Sequence, residues 1–254
     1  MQLAPLAATR QRLVGLCLAT LLGGSWLSLH LYTVLLAAPL PDGPAGLLTV
    51  VLLVALQCWL NVGLFIIAHD CMHGSLAPGW PRLNTSVGSV CLALYAGFSY
   101  RRLYPKHHEH HALPGSAADP DFSVDHARSP LRWFATFIGR YFGLREFIIL
   151  SIALSVYLLV LSVPVERLLL FWGLPALLSA WQLFYFGTYL PHHPGVTPFV
   201  DQHKARSNDF GHLLSLLSCF HFGYHHEHHL APGIPWWRLP ELRDRRRSAS
   251  GSAP

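Results

Sequence analysis

The segment CFHFGYHHEHH, which runs from Cys219 to His229, holds five histidines within nine positions. Three other stretches are similarly rich in histidine: HDCMH at 69–73, HHEHH at 107–111 and PHH at 191–193. Together the four patches contain 13 of the 17 histidines in the chain. Neutral imidazole is a ligand for iron, zinc and copper, and a single ion needs only a few protein ligands. The pattern therefore predicts a site for more than one metal ion, built from several separated segments.

The spacing within the patches selects the candidate ligands. His69 and His73 are four residues apart, so on a helix their rings share one face, one turn apart. The HxxHH arrangement at 107–111 directs three rings toward one point, and 225–229 repeats it, while the interleaved residues point away. A lone histidine, His192, follows a later apolar stretch. With it, nine nitrogen ligands are predicted, which is enough for two metal ions with an open position on each. The nine are His69, His73, His107, His110, His111, His192, His225, His228 and His229.

The composition predicts an all-α integral membrane protein. Hydrophobic residues make up 52% of the chain and charged residues only 12%, where a soluble domain has about a quarter. The polar segments are too few to coat a large soluble core of buried helices. A transmembrane helix needs about 20 apolar residues. Four stretches without Asp, Glu, Lys or Arg meet or approach this length and are predicted to be transmembrane helices: residues 13–38, 47–68, 147–163 and 168–190.

The chain is predicted to form a single domain, residues 1–254, whose cytoplasmic segments make a helical cap. The apolar run at 87–98 is too short to span a membrane and is predicted to form a re-entrant or interfacial helix. A second interfacial helix is predicted at 133–141. Trp236-Trp237-Arg238 has the composition of an interfacial anchor. Prolines and a glycine at 39–44 predict an external turn. Residues 1–12 and 241–254 are predicted to be tails, the second with a solvated basic run.

The basic residues predict the orientation. If the N-terminus is cytoplasmic, 17 of the 18 Lys and Arg residues lie on the cytoplasmic side, and only Arg167 lies outside. This asymmetry follows the positive-inside rule and predicts a multi-pass membrane protein with both termini and the metal site in the cytoplasm. The net charge of +5 is therefore explained by the orientation of the chain in the membrane, and no nucleic-acid partner is predicted. Five scattered cysteines without a CxxC pair favour neither a disulfide framework nor a zinc ribbon.

The histidine set favours paired iron. Zinc is satisfied by three or four ligands, whereas nine histidines without a thiolate suit two iron ions that activate dioxygen beside an apolar cavity. Surface histidines, or an unspecific metal-binding cluster, are the alternative. Two copies of HxxHH and one HxxxH at the same predicted membrane depth disfavour it.

Metal-bound histidines usually donate their second ring N–H to a carboxylate or carbonyl group. Five acidic residues are close enough in sequence to accept such a bond, namely Asp70, Glu109, Asp119, Asp121 and Glu227. Asp70 and Asp121 are the preferred candidates. Loop capping explains Asp119 and Asp121 equally well.

The histidine motifs resemble those of the membrane di-iron oxygenases and desaturases. Within that superfamily, longer runs of sequence resemble the bacterial β-carotene ketolases of the CrtW type, which are β-carotene 4-oxygenases. The likeness extends from the second predicted span almost to the C-terminus. It rests on VGLFIIAHDCMHGSLAPG (62–79), YAGFSYRR (95–102), KHHEHH (106–111), DPDF (119–122), FGTYLPH (186–192), ARS (205–207) and CFHFGYHHEHHLAPGIPWWRLP (219–240).

The resemblance implies four transmembrane helices and a cytoplasm-facing di-iron centre held by the nine histidines given above. It implies that two dioxygen-dependent hydroxylations at C4 of a β-ionone ring, followed by loss of water, convert β-carotene to echinenone and then canthaxanthin. His193 falls outside the motif, and support roles are expected for His203 and His221. Ala112-Leu113 departs from the family pattern, which has polar residues there.

The implied substrate is a carotenoid dissolved in the bilayer. Phe65, Tyr95 and Phe98 are predicted to border its tunnel, although aromatic residues in such positions more often belong to the core. The chain carries no flavin or haem motif, so electrons are expected from a soluble, ferredoxin-like donor. Its acidic surface would dock on Lys106, Arg101 or Arg102.

Two other functions are compatible with parts of the sequence. A membrane fatty-acyl desaturase or hydroxylase would share the histidine motifs and differ in its substrate tunnel. A metal transporter would carry ionisable residues along a path through the membrane, whereas His30 is the only such residue deep within the predicted spans.

Overall fold

The computed structural model describes residues 6–36, 43–195 and 197–251, and every regular element within these ranges is a helix. The prediction of an all-α fold is therefore confirmed. In chain order the α-helices are α1 (Ala8–Leu31), α2 (Gly43–Met72), α3 (Pro81–Ala96), α4 (Tyr100–Ala112), α5 (Pro130–Tyr141), α6 (Leu144–Ser155), α7 (Val165–Leu168), α8 (Leu174–Phe184), α9 (Leu190–His192), α10 (His212–Cys219), α11 (His225–Leu230) and α12 (Leu239–Gly251).

Short π-helical segments lengthen several of these helices: Tyr32–Leu36, Val156–Val160, Leu169–Gly173 and Tyr185–Tyr189. A 3₁₀ turn, Trp236–Arg238, precedes α12. Two of the π segments join α7, α8 and α9 into one continuous helical run.

Three of these helices are long and apolar enough to cross a membrane: Ala8–Leu36, Gly43–Met72 and Val165–His192. A fourth crossing exists if α5 and the α6 helix up to Val160, which meet at a bend of 84°, count as one span. Large apolar side chains on these helices face outward, among them Leu47, Leu159 and Leu177 with 68%, 81% and 70% of their surface exposed. Outward-facing leucines suit helices surrounded by lipid, since lipid tails are as apolar as the side chains themselves.

The tails predicted at the two ends are partly helical. α1 begins at Ala8, and Gln11, inside the predicted tail, is buried and donates a hydrogen bond to the Ser75 carbonyl at 2.7 Å. α12 continues through the predicted C-terminal tail to Gly251. Its Arg243 pairs with Glu227 at 3.0 Å, so the basic run is not simply solvated. The external turn predicted at 39–44 lies mostly outside the described residues.

The core is built around α2. Val62, Ile66, Ile67 and Ala68 are completely buried, and α1, α3 and α8 pack against this helix. Small residues permit the close packing, as is usual between membrane helices. A Cβ on Gly88 of α3 would lie 2.4 Å from the ring of Tyr100 and 3.0 Å from Cys71 of α2. The C-terminal part of α2 is therefore packed tightly against α3 and the start of α4.

Both segments predicted to be interfacial are helical. α3 contains most of 87–98 and is capped at its C-terminal end by Gly97, whose φ of 68° lies in the left-handed region that glycine adopts readily. α5 contains 133–141. Between α10 and α11, Phe220 and His221 also have positive φ, 49° and 61°. This tight turn seats the buried Phe220 ring on Trp59, 4.4 Å between centroids, and so orients α11 toward α2.

Candidate metal centre

All nine histidines predicted as ligands come together at one end of the long helices, in two groups. The five-histidine group comprises His69, His73, His107, His111 and His228, and the four-histidine group comprises His110, His192, His225 and His229. Within each group the ring nitrogens lie within 4.8 Å of one another. Segments more than 150 residues apart in sequence therefore converge on two compact clusters of nitrogen atoms.

The two HxxHH helices each contribute to both groups. On α4, His107 and His111 face the five-histidine group, whereas His110 faces the other. On α11, His228 faces the first group, and His225 and His229 face the second. The expectation that each motif directs its three rings to one point is therefore wrong. Positions i and i+3 are separated by about 60° around a helix, which is enough to serve two neighbouring sites.

The distances between ring nitrogens are those of atoms that share a cation. The Nε2 atoms of His73 and His107 are 2.6 Å apart, and those of His111 and His228 are 3.0 Å apart. In the second group, the Nε2 atoms of His225 and His229 are 3.1 Å apart. With a metal–nitrogen distance of about 2.1 Å, two ligands at a right angle are about 3 Å apart. The spacing thus fits two imidazoles bound to one ion.

Unsatisfied buried nitrogens provide a second test of this fit. The Nε2 atoms of His69 and His192 are buried and have no hydrogen-bond partner within the described chain. A buried polar atom without a hydrogen-bond partner lowers the stability of the folded protein by about 1–3 kcal/mol. A cation in each group would give both lone pairs a partner. The residues present therefore fit a metal in each group.

The second ring nitrogen of two ligands is held by an oxygen atom. His110 Nδ1 lies 3.0 and 3.1 Å from the two carboxylate oxygens of Asp119, and His192 Nδ1 lies 2.8 Å from the carbonyl oxygen of Lys204. Each contact keeps a proton on Nδ1 and leaves the Nε2 lone pair directed into the four-histidine group.

The two preferred carboxylates do not make the predicted bond. Asp121 is 3.8 Å from His110 Nδ1 and instead accepts a hydrogen bond from the Tyr141 hydroxyl. Asp70 is 3.9 Å from His69 Nδ1 and accepts a hydrogen bond from the Trp236 backbone N–H at 3.2 Å. Asp119, considered but not preferred, is the direct partner because backbone N–H groups of Gly115 and Asp121, at 2.8 Å each, hold its carboxylate in place.

The electrostatic environment favours the neutral form of most ligands, and His110 is the exception. Burial and the neighbouring histidines lower the pKa of His111 to about 2 and lower the pKa values of His225, His228 and His229 well below the ordinary value. Burial acts on His110 in the same direction, but the charges of Asp121 and Asp119 outweigh it and raise its pKa. Hydrogen bonds to Asp119 overcome its burial and lower its pKa, so it stays ionised and holds the His110 Nδ1 proton.

The two groups differ in exposure. All four members of the four-histidine group are buried. In the five-histidine group, His69 and His228 are buried, but His73, His107 and His111 are only half-buried. The five-histidine group therefore lies nearer to the solvent.

An elongated apolar cavity of about 560 Å³ leads to both groups. His69, His107, His110 and His225 border it at one end. Its wall then follows the last long helix from Gly187 to Gly173, a distance of about 21 Å at 1.5 Å per residue. Leu177, in this wall, is also 70% exposed on the outer surface of the helices. The wall of the cavity therefore extends from the histidine groups to a residue on the surface that lipid would contact.

Phe65, Tyr95 and Phe98, predicted to border the substrate, all line this cavity. Sequence reasoning missed other lining residues, including Phe134, Phe137, Tyr141 and Thr188. No local signal marks the α5 residues, because α5 joins the cavity only through the 84° bend. The π segment Tyr185–Tyr189 carries Gly187 and Thr188 into the wall just before His192, and π turns are frequent at functional sites.

The remaining histidines and acidic residues of the patches lie outside the two groups. His108 contacts the Met72 carbonyl at 3.2 Å, and His226 pairs with Asp201 at 2.8 Å. Glu227 is buried and accepts hydrogen bonds from Arg243 and Ser207, so it joins α11 to α12.

Three further histidines pack nearby. His193 stacks on Tyr189 at 5.1 Å, and His221 stacks on Tyr224 at 5.8 Å. The His203 ring lies 6.0 Å from that of His229.

Comparison with known proteins gives consistent results. The fatty acid desaturase family model matches residues 43–148 and 131–253. A β-carotene ketolase of Paracoccus sp. strain PC1 is 50% identical over 233 residues, 91% of each chain. Another, of Paracoccus sp. strain N81106, is 55% identical over 188 residues, 73% of this chain and 75% of the relative. A zeaxanthin 4-ketolase of Chlamydomonas reinhardtii is 41% identical over 195 residues, 76% of this chain and 44% of the relative.

Proposed function

Since the chain belongs to the fatty acid desaturase family and, within it, to the β-carotene ketolases, we propose that it introduces 4-keto groups into β-ionone rings. The proposed reaction is two successive dioxygen-dependent hydroxylations at C4 and loss of water, which take β-carotene to echinenone and then, at the second ring, to canthaxanthin. The observation that carries the proposal is the apolar cavity that ends on both histidine groups.

The cavity suits a long hydrocarbon. A C40 carotenoid is about as long as the hydrocarbon core of a bilayer is thick, about 30 Å, and the cavity wall follows the last helix over much of that length. Entry at Leu177 would allow the substrate to pass from the bilayer without crossing water. Phe65, Tyr95 and Phe98 would hold the ring and the first double bonds against the histidine end. Their rings also exclude water from the reacting carbon.

The nine histidines are proposed to hold two iron ions, one in each group. Neutral imidazoles without thiolate, close nitrogen pairs and unsatisfied Nε2 atoms support this assignment. Bound iron would supply the activation of dioxygen, which no amino-acid side chain can perform. The protein orients the ligands through Asp119 and the Lys204 carbonyl group and positions C4 beside them.

Electrons are proposed to come from a soluble, acidic, ferredoxin-like protein that docks near the more exposed, five-histidine group. Arg101 and Arg102 lie on the exposed side of α4, the helix that carries His107 and His111. Lys106 is less available than expected, because it donates a hydrogen bond to the Arg140 carbonyl and lies over the Tyr141 ring. The positive-inside distribution of Lys and Arg supports a cytoplasmic position for this face in a bacterial inner membrane.

The other two functions have weaker support. A fatty-acyl desaturase would share the metal site, but relatives at 50–55% identity are ketolases. A transporter would need a polar path, whereas His30 contacts Tyr157 at 2.8 Å and stacks on Trp26, within a cluster of neighbouring helices. Asn61 accepts a hydrogen bond from Trp26 and belongs to the same cluster.

Production of the protein in cells that accumulate β-carotene tests the proposal. Chromatography of extracted pigments should show echinenone and canthaxanthin, and both should be absent when oxygen is withheld. If membranes that contain the protein show an unchanged carotenoid profile and altered fatty acids, the protein oxidises acyl chains and is not a ketolase.

A further inference from the structure

A hydrogen-bonded polar pair lies in the largely apolar wall of the cavity. Asp121 and Tyr141 both line the cavity, and the Tyr141 hydroxyl donates a hydrogen bond to Asp121 Oδ1. Among the described residues that line the cavity, Asp121 is the only carboxylate. A carboxylate in an apolar wall is costly unless it has a partner, so its presence needs an explanation.

Orientation of a metal ligand does not explain it. The nearest ligand nitrogen, His110 Nδ1, is 3.8 Å from Asp121 Oδ2, and Asp119 already occupies that nitrogen at 3.0 Å. No hydrogen-bond donor to Asp121 Oδ2 occurs among the residues that the structure describes. The pair, which lines the cavity, therefore carries a carboxylate oxygen, Asp121 Oδ2, to which no described residue donates a hydrogen bond.

The pair is held rigidly. The Trp133 indole donates a hydrogen bond to the Asp121 carbonyl at 2.7 Å. Arg140, next to Tyr141, donates to the carbonyl groups on either side of Asp121, those of Pro120 at 3.0 Å and Phe122 at 2.6 Å. A loop clamped to α5 in this way is preorganised for a ligand, which lowers the entropy lost on binding.

β-Carotene is a hydrocarbon and offers no hydrogen-bond donor, so the pair has no use in binding it. The first hydroxylation changes this, because the ring then carries a secondary alcohol. The same ring must stay, or return, for the second hydroxylation at the same carbon.

We propose that Asp121 and Tyr141 form a subsite that binds a hydroxyl group on the carotenoid ring and positions the ring beside His110. This inference rests on the proposed ketolase function and adds a recognition element to the same site. The hydroxyl can come from two sources. It is either the C4 hydroxyl formed in the first oxidation or a C3 hydroxyl already present on the substrate. Both are secondary alcohols that donate to the free acceptor.

The test compares product ratios from β-carotene-producing and zeaxanthin-producing cells that express the wild type, Tyr141→Phe or Asp121→Asn. Tyr141→Phe removes the hydroxyl, and Asp121→Asn replaces the free acceptor oxygen by an NH₂ group. Tyr189→Phe is the matched control, because its hydroxyl contacts the Arg128 carbonyl at 3.4 Å and the residue does not line the cavity.

If the C4 hydroxyl is bound, both variants should raise the ratio of 4-hydroxy to 4-keto products from β-carotene about tenfold. If the C3 hydroxyl is bound, the variants should lower the ratio of zeaxanthin conversion to β-carotene conversion about tenfold. Either result supports the subsite, and the control should match the wild type. Unchanged ratios from both substrates overturn it, as does an equal loss of every product in both variants. Failure of the wild type to form any ketone would instead refute the proposed function.

Discussion

At the scale of single residues, Asp119 shows what a carboxylate does for a metal ligand. Its two oxygens receive the His110 Nδ1 contact and two backbone N–H bonds, and only 1% of its side chain is exposed. This arrangement keeps one proton on Nδ1 and directs the Nε2 lone pair toward the other three histidines of its group. Asp121, two residues later, is turned to the cavity instead.

Asp119→Asn should weaken metal binding by the four-histidine group. The amide loses the negative charge that holds the Nδ1 proton, and substitutions of such outer partners typically cost 10- to 100-fold in metal affinity or activity. Iron titration of the purified protein, together with ketone formation in cells, measures the loss. Asp125→Asn on the same loop, at an exposed position, is the control. Iron affinity and ketone yield equal to those of the control would show that Asp119 does not support the ligand.

At the scale of elements, α4 has two functional sides. Its inner side supplies His107, His110 and His111, and its exposed side carries Arg101 and Arg102. One helix therefore carries both the proposed docking surface and ligands of the more exposed histidine group. The arrangement follows from helix geometry, since successive residues are rotated by about 100° and the helix therefore has two sides with different residues.

The double variant Arg101→Glu/Arg102→Glu should form ketone about tenfold more slowly at low salt when an acidic protein supplies the electrons. The reason is that the attraction between the arginines and the acidic donor becomes repulsion. High salt should reduce the difference. Arg132→Glu on α5 changes an exposed arginine elsewhere and serves as the control. When dithionite supplies the electrons, the wild type, the double variant and the control should form ketone at the same rate. An equal loss with dithionite would mean that the arginines support the fold and not the docking of a donor.

At the scale of the whole molecule, the sequence predicts the helical fold and the nine histidines that converge, because apolar length and i, i+3, i+4 spacing are local properties. It does not predict how the nine divide, since that depends on the relative rotation of α4 and α11. Nor does it predict the contribution of Tyr141, which reaches the cavity through the bend between α5 and α6. The choice between Asp119 and Asp121 depends on a loop conformation fixed by backbone hydrogen bonds.

The division of the histidines into two groups has one direct consequence: the chain should bind two iron ions at separate positions. Iron content of the purified protein, measured by elemental analysis, tests this claim. The wild type should hold about two ions per chain, and His73→Ala and His192→Ala, one from each group, should each hold about one. His193→Ala, which alters a histidine outside both groups, should retain both. A wild-type protein that holds a single ion, or zinc in place of iron, would contradict the account, as would iron loss from His193→Ala equal to that from His192→Ala.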